Sequence, residues 1–443
     1  MEVIGVDDDG FFTTYESDNQ VTLEHYSPEN IRLWTTALRP TTPGGKPATF
    51  HSMQMIKGAL YMISSSKKER ETVVYAQEIK HNGNYSPDVI PLARGKFGKH
   101  IKIATAEDEA ALIVVLSGDN RQEITSALLT SKLVPRWTMA FTSGGDMQDV
   151  LVHPDGTTYL LTKALPAAPA TTSFYLYRLE AKSGKYEEVV LGHSDYRPYK
   201  AKLAAVPYRE TVVTGYMIPS SSVASHNPEP IGTFYYRFNE KNLRKPVVAY
   251  TPFDQDFIIT YKRLKPDNDR IQRLRNLQLD RVVPASSGGV ILIGEVSFHL
   301  NKAGFSILHN HDIIITRLRG NGSMAYITSA NKLQTSTKND RRLHSYFATA
   351  IDNSLQIIYL HFEYANNAGI SFSSGSQPAS KTPVLINIEP DGTKHIHPIK
   401  DSSFGHAHDF QICPTSAYQM SEKQFIILGL GEGFYRYGRM SFN

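Results

Sequence analysis

The sequence of 443 residues holds a single cysteine, Cys413, and only two tryptophans. One cysteine excludes an internal disulfide framework. No apolar run reaches the roughly 18 residues that a bilayer-spanning helix needs, so we expect no transmembrane segment. Neither sign of charge is in excess, because 47 Lys and Arg residues oppose 43 Asp and Glu residues. The charge balance therefore gives no reason to expect a nucleic-acid partner.

Signals for export and for common catalytic chemistry are also missing. The N-terminal residues MEVIGVDDDG are acidic and strand-like, unlike a signal peptide. We expect a cytoplasmic protein, or a secreted or cell-surface one whose export signal was removed before Met1. There is no Gly-x-Ser-x-Gly elbow and no phosphate-binding loop. Cys413 lies in a predicted strand, where a buried inert thiol is expected. We therefore expect no catalytic residue and no cofactor.

What the chain does contain is a repeated strand pattern, clearest in IIITRLRGNGSMAYI from Ile313 to Ile327. Asn321-Gly322 between two apolar runs predicts a hairpin with a type I′ turn, which needs positive φ at both central residues. The strand before such a turn recurs along the chain as VTLEHYSP at Val21, VVYAQEIK at Val73, SALLTSKL at Ser126, FYLYRLEA at Phe174, FYYRFNEK at Phe234, VLINIEPD at Val384 and FYRYGRM at Phe434. With the hairpin upstream of each, every unit predicts four short antiparallel strands, A to D.

Eight such units cover the sequence, with approximate boundaries at 1–45, 46–97, 98–145, 146–197, 198–273, 274–340, 341–403 and 404–443. Four-stranded units repeated at this spacing predict an all-β fold, a single β-propeller domain over 1–443. Eight blades are favoured and seven are the alternative. The last unit stops after its third strand, and we hypothesise that a strand upstream of Met1 completes it.

The chain resembles the β-propeller superfamily in this blade pattern alone. WD40 blades end in Trp-Asp, whereas Trp34 and Trp137 open a fourth strand. The paired glycines of Kelch blades do not recur at one position. Asp155-Gly156-Thr157 and Asp391-Gly392-Thr393 have the turn of a sialidase Asp-box but lack its Trp, so we interpret them as plain turns. The resemblance implies the fold and no particular activity.

The longest predicted connections fall on one face of the propeller, in units four to seven. They are the B-to-C loops 164–172, 219–232, 298–311 and 364–382, and the basic D-to-A connection 253–275. Long loops on one face of a rigid scaffold commonly carry function. The alternative is that these loops have no function and arose by drift, because insertions in surface loops cost little stability. We favour a binding face for a protein or glycan partner.

Polar and cationic residues recur where the inner strands open, at the predicted mouth of the central channel. The predicted ligand-binding residues are His51, His100, Lys102, Gln148, Lys200, Lys202, Gln278, His344, His408 and Asp409. Convergent Lys and His side chains would attract an anion. A polar, water-filled channel without a ligand is the alternative interpretation.

Two His-x-His pairs lie in the predicted loops of that face, His309/His311 and His406/His408. In a strand, residues i and i+2 share a face, so each pair can offer two imidazoles to one metal ion. Sixteen histidines in the chain give such pairs by chance, and the two units concerned are not neighbours. We therefore expect no metal and name these four residues only as weak candidates.

Three functions fit the sequence. The favoured one is a non-catalytic binding or scaffold propeller that uses the loop-rich face of units four to seven and the cationic channel mouth. The second is a glycosidase or lyase acting on an anionic sugar, for which Asp149, Asp280 and Asp409 are the carboxylates nearest the mouth. The third is a structural subunit of a larger assembly.

Overall fold

The computed structural model describes residues 2–17, 20–96, 98, 100–118, 122–165, 172–222, 228–240, 242–264, 273–285, 288–302, 305–336, 344–363, 380–399, 411–431 and 435–442. The chain forms eight antiparallel sheets in which successive strands pair with their neighbours in sequence. The fold is a β-propeller of eight blades, which confirms the predicted fold class. Each sheet is one blade, and we number the blades 1 to 8 in their order along the chain.

The first five blades each contain four strands. Blade 1 holds β1 (Glu2–Asp7), β2 (Gly10–Ser17), β3 (Gln20–Tyr26) and β4 (Arg32–Ala37). Blade 2 holds β5 (Thr49–Ile56), β6 (Ala59–Lys68), β7 (Glu71–Ile79) and β8 (Tyr85–Lys96). Blade 3 holds β9 (His100–Thr105), β10 (Ala111–Ser117), β11 (Glu123–Thr130) and β12 (Pro135–Thr142). Blade 4 holds β13 (Gly145–Val152), β14 (Thr158–Ala164), β15 (Phe174–Leu179) and β16 (Tyr186–Leu191). Blade 5 holds β17 (Tyr196–Val206), β18 (Glu210–Pro219), β19 (Gly232–Asn239) and β20 (Asn242–Pro252).

The remaining blades differ more from one another. Helix α1 (Gln255–Leu264) precedes blade 6, which holds β21 (Leu277–Pro284), β22 (Val290–Lys302), β23 (Phe305–Leu318), β24 (Met324–Ala330) and the short β25 (Gln334–Ser336). Blade 7 holds β26 (Tyr346–Ile351), β27 (Ser354–Glu363), β28 (Ser380–Ile388) and β29 (Lys394–Pro398). Blade 8 holds β30 (Gln411–Gln419), β31 (Gln424–Leu430) and β32 (Tyr435–Ser441). It therefore has three strands within the described residues, and the strand that would complete it stays a hypothesis.

The chain divides into two compact units. One consists of Ile4–Ser221 and Phe234–Val248 and holds nearly all of blades 1 to 5. The other consists of Met1–Val3, Ser222–Thr233 and Ala249–Asn443 and holds α1 and blades 6 to 8. None of the helices within the described ranges is both long enough and apolar enough to cross a membrane.

Within each unit the core lies between consecutive blades. Phe12 and Leu23 of blade 1 pack with Met62 of blade 2, and blades 2 and 3 share a second cluster that includes Val74 and Val114. In the other unit, blades 6 and 7 and then blades 7 and 8 pack in the same way. Strands buried on both faces become continuous apolar runs, which explains sequences such as IIIT in β23. Cys413 in β30 is fully buried, as predicted.

The Asn321-Gly322 hairpin forms, but its predicted turn type is wrong. Only Gly322 has positive φ, at 81°. The Gly322 amide donates to Arg319 O at 2.8 Å, and the Arg319 amide donates to Ser323 O at 2.8 Å. This pattern is a type I turn closed by a left-handed glycine. The turns at Gly83, Gly156 and Gly392 repeat the same pair of hydrogen bonds.

Both tryptophans join one blade to the next. The Trp34 indole of blade 1 donates to His81 O of blade 2 at 2.6 Å, and the Trp137 indole of blade 3 donates to Ala181 O of blade 4 at 3.1 Å. Each ring covers a turn glycine of the next blade, where a Cβ on Gly83 or Gly184 would lie 3.0 or 2.9 Å from ring carbon atoms. The tryptophans that depart from the WD40 pattern are therefore inter-blade contacts.

The first strands of four blades carry a β-bulge near the same point. The pairing with the second strand skips one residue in each: His51 in β5, Gln148 in β13, Tyr199 in β17 and Asp280 in β21. A bulge changes the direction of a side chain relative to the period of two. Two of the predicted ligand-binding residues, His51 and Gln148, are thus the bulged residues themselves.

Two predicted loops are wrong in part. The stretch 298–311 is not a loop, because β22 runs to Lys302 and β23 begins at Phe305. The connection 253–275 contains α1, which begins after Asp254, whose carboxylate accepts the Phe257 amide at 3.0 Å. That is the usual N-cap contact.

Candidate functional site

A cationic cluster lies where blades 4 and 5 meet, around the ring of the bulged Tyr199. The ammonium groups of Lys163 on β14 and Lys200 on β17 each lie 5.3 Å from the centroid of the Tyr199 ring. Arg197 stands two residues before Tyr199 on β17. We call these four residues the Tyr199 cluster. At such a distance the ring quadrupole attracts both cations, which helps to hold like charges near one another.

The electrostatics of the cluster favour an anion. Partial desolvation by the surrounding protein lowers the pKa of Lys163, the Arg197 guanidinium lowers it further, and Asp146 opposes both effects. A lowered pKa means that the charged form of Lys163 is disfavoured where it stands. A bound anion would offset this penalty, because it stabilises the charged form of Lys163. Within the described residues, neither Lys163 nor Arg197 forms an ion pair with a carboxylate.

The cluster lies at strand ends next to the B-to-C loop predicted for blade 4, and the binding role of that face stays a prediction. Lys163 is the last residue but one of β14, just before the B-to-C loop of blade 4. Arg197, Tyr199 and Lys200 lie in the first half of β17, just after the connection into blade 5. Lys202 follows Lys200 by two residues on β17 and so shares its strand face. Of the predicted residues, Lys200 therefore belongs to this site, and Lys202 lies on the same strand face two residues further along β17.

Further predicted residues lie on the neighbouring first strands of the same unit. The Lys102 ammonium on β9 donates to Gln148 O on β13, so the structure brings these two residues together. His51 on β5 contacts Ser65 Oγ of its own blade at 2.7 Å, and desolvation lowers the pKa of His51. His100 opens β9 with an exposed side chain.

The other predicted residues belong to the second unit or are outside the described residues. Gln278 on β21 donates to Asn276 O at 3.3 Å. His344 precedes β26 and is only 5% exposed. His406, His408 and Asp409 lie outside the described residues.

The two described carboxylates that the sequence offered for catalysis make structural contacts. Asp149 accepts the Leu203 amide of blade 5 at 2.9 Å. Asp280 accepts the hydroxyl of Tyr346 in blade 7 at 2.9 Å. Each of them ties the first strand of one blade to the first strand of the next.

His309 and His311 lie within β23 and are buried, not in the loop predicted for them. Arg273 can only donate, so its contact of 2.8 Å with His311 Nδ1 makes that atom an acceptor. His311 Nε2 then carries the proton and donates to His309 Nδ1 at 3.2 Å. Burial, and then the charges of Arg273 and His299, lower the pKa of His309 to about 4. The His309 imidazole is thus a neutral hydrogen-bonding group near pH 7.

A buried ionic network continues from these histidines. Asp312 accepts the Tyr261 hydroxyl of α1 at 2.9 Å and lies 3.8 Å from the Arg273 guanidinium. Lys332, which is 1% exposed, donates to Glu295 and to Gln334 Oε1. Desolvation lowers the pKa of Lys332, and Glu295 opposes that shift. The network ties α1 and β25 to the strands of blade 6.

Sequence analysis missed several of these residues. Neither Lys163 nor Lys332 belongs to a recognisable motif. The residues around them in the sequence do not indicate that Lys163 approaches Tyr199 or that Lys332 pairs with Glu295. The helix did have a signal, since Asp254 is a capping residue and Phe257, Tyr261 and Leu264 follow at helical spacing. No group of three or more His, Cys, Asp or Glu residues within the described ranges is arranged to hold a metal ion.

Comparisons with known proteins show a similarity of fold only. No protein-family model matches the chain, and neither does any curated protein. Among solved structures, polysaccharide lyase Uly1 is similar at 10% identity and a TM-score of 0.40, over 89% of this chain and 90% of that one. The β-propeller domain of Nup133 from Vanderwaltozyma polyspora is similar at 9% identity and a TM-score of 0.40, over 88% and 99%. The β-propeller domain of the Trilobed protease from Pyrococcus furiosus is similar at 9% identity and a TM-score of 0.39, over 92% and 98%. At these values the similarities carry no functional argument.

Proposed function

We propose that this protein is a non-catalytic binding propeller that holds an anionic glycan or an acidic segment of a protein at the Tyr199 cluster. One observation carries the proposal: two ammonium groups converge at 5.3 Å on one aromatic ring, with a guanidinium beside them. Like charges held together on a rigid sheet raise the local positive potential. A ligand that brings carboxylate or sulfate groups would neutralise it.

Two connections of the chain begin or end near the cluster. Strand β14 ends at Ala164, one residue after Lys163, and the connection from blade 4 leads into Tyr196, the first residue of β17. Strands fix the charged residues in place, while loops of this kind can vary to suit a partner. Fixed charged residues beside variable loops support the proposal of a scaffold that binds a partner.

The glycosidase alternative is less well supported. That chemistry uses two carboxylates that flank the scissile bond. Asp149 and Asp280 instead hold neighbouring blades together through the Leu203 amide and the Tyr346 hydroxyl. No specific observation favours the assembly-subunit alternative over binding.

Calorimetric titration of three polyanions tests the proposal: polygalacturonate, heparin and poly-glutamate. At least one should bind wild type, and Lys163→Gln/Lys200→Gln should weaken that binding by about tenfold or more, because two charge contacts are lost. The matched control is Lys182→Gln/Lys185→Gln, which removes two exposed lysines near the β15–β16 turn and should leave the affinity unchanged. Equal losses in both variants would show that only net charge matters, and absence of binding by all three polyanions would refute the proposal.

A further inference from the structure

A second surface lies in the other compact unit and contains no residue of the Tyr199 cluster. A cleft of about 880 Å³ opens between helix α1, the outer strand β24 of blade 6 and the outer strand β29 of blade 7. Its lining includes Tyr261 and Asp312, whose side chains hydrogen-bond to each other. We call it the α1 cleft. Its volume is in the range of ordinary ligand sites.

One wall of the α1 cleft is the open edge of a sheet. Within the described residues, β24 pairs with β23 on one side only, and six consecutive residues of β24, 324–329, line the cleft. The Lys394 ammonium donates to Ser329 O at 2.8 Å, so this carbonyl points away from β23. Because outward-pointing groups alternate along an edge strand, the backbone of Ile327 points into the cleft as well. A strand edge of this kind is a template for another extended chain.

The other elements that line the cleft supply apolar contacts and negative charge. Leu264 at the end of α1 and Ile396 on β29 are 67% and 60% exposed and line the cleft. Asp254 and Asp256 line it where α1 begins, and Asp256 is exposed. Lys394 lines the cleft too, and its hydrogen bond to the neutral Ser329 O leaves its positive charge in place. Asp254 and Asp256 together outweigh that charge, which favours a basic partner.

We propose that the α1 cleft binds an extended basic segment of a partner protein, which pairs with β24 as an added strand. Backbone hydrogen bonds to Ile327 would hold the segment in register. Alternate apolar side chains would cover Leu264 and Ile396, and a Lys or Arg would meet Asp256. This is the β-augmentation mode of peptide recognition. The proposal does not depend on the Tyr199 cluster and stands or falls separately.

Fluorescence anisotropy with defined peptides tests the proposal. The probe is a labelled Lys-Val-Lys-Val-Lys-Val peptide, and the charge control is Glu-Val-Glu-Val-Glu-Val. A third peptide keeps the basic sequence but carries N-methyl groups on alternate residues, which removes the donors of one strand edge. We expect the basic peptide to bind, the acidic one not to bind, and N-methylation to weaken binding by about tenfold, because strand pairing is then blocked.

Protein variants locate the site without disturbing the core. Thr260→Trp on the exposed face of α1 fills the cleft and should abolish binding, while Asp256→Asn should weaken it by about threefold. Asp88→Asn on blade 2 is the control and should have no effect.

Four results would overturn the proposal: equal binding of the N-methylated peptide, unchanged binding to Thr260→Trp, equal binding of the acidic peptide, or no binding of the basic one. Self-association of the chain that Thr260→Trp abolishes would also overturn it, by placing a second copy in the cleft.

Discussion

Replacing Gly184 by alanine tests the contact between Trp137 and the next blade. Gly184 has φ of +68°, and an added Cβ would lie 2.9 Å from Trp137 Cδ2. A left-handed non-glycine residue costs about 1–2 kcal/mol. Forcing extra volume against a packed ring costs roughly 1–3 kcal/mol more. Gly184→Ala should therefore lower the free energy of unfolding by about 2–5 kcal/mol.

A matched control separates the two costs. Gly58 has φ of +76° but nothing lies within 4 Å of an added Cβ. Gly58→Ala should thus show only the backbone cost of about 1–2 kcal/mol. Both variants lie in the same compact unit, and urea unfolding followed by tryptophan fluorescence measures both.

A double-mutant comparison completes the test. In a Trp137→Leu background the ring is absent, so Gly184→Ala should cost no more than Gly58→Ala does in wild type. The reasoning would be refuted if Gly184→Ala cost no more than Gly58→Ala in wild type, or if its cost survived removal of the indole.

Two further predictions concern the buried network of blade 6. The pKa of His309 falls from 6.5 to about 4 on folding, so between these values the unfolded chain binds a proton that the folded chain does not. The contribution of His309 to the free energy of unfolding should therefore increase with pH through that window, by roughly 3 kcal/mol in total. It should be fully present above about pH 6.5. The free energy of unfolding, measured at several pH values, should rise less steeply with pH in His309→Gln than in wild type. An equally steep rise would show that His309 is not the titrating group. Lys332→Met leaves the Glu295 carboxylate buried without its cation and should cost about 3–5 kcal/mol, whereas Lys332→Met/Glu295→Leu should regain most of it. Urea midpoints compare the two variants, and a double variant no more stable than the single one would show that the ion pair is not the cause.

The fold was predictable because its determinants are local. Alternation of apolar residues recurs along the chain, and turn glycines such as Gly83, Gly156, Gly322 and Gly392 recur in several blades. Neither signal depends on distant residues. The type of the Gly322 turn was not predictable, because Asn-Gly fits both a type I′ turn and a type I turn with a left-handed glycine. Helix α1 had a readable cap at Asp254, but the basic residues after it suggested a loop.

The candidate site was predictable only in part. Lys200 and Lys202 stand out on an inner strand, so the sequence could name them. Lys163 belongs to a different blade, and the ring that its ammonium approaches is that of the bulged residue Tyr199. A bulge depends on the pairing partner of a strand, which a single segment does not reveal. The buried pair of Lys332 and Glu295 is likewise a contact between distant segments.

Acetylation footprinting of lysines tests the binding function of the Tyr199 cluster most directly. A limiting amount of an acetylating reagent is applied to wild type, with and without a polyanion that binds it, and mass spectrometry reads the extent at each lysine. Lys163 should react readily in the free protein, since its lowered pKa increases the neutral, nucleophilic form. We predict that the bound polyanion protects Lys163 and Lys200 and leaves Lys182 unchanged. Protection confined to other lysines, with Lys163 and Lys200 as reactive as before, would contradict the proposed site.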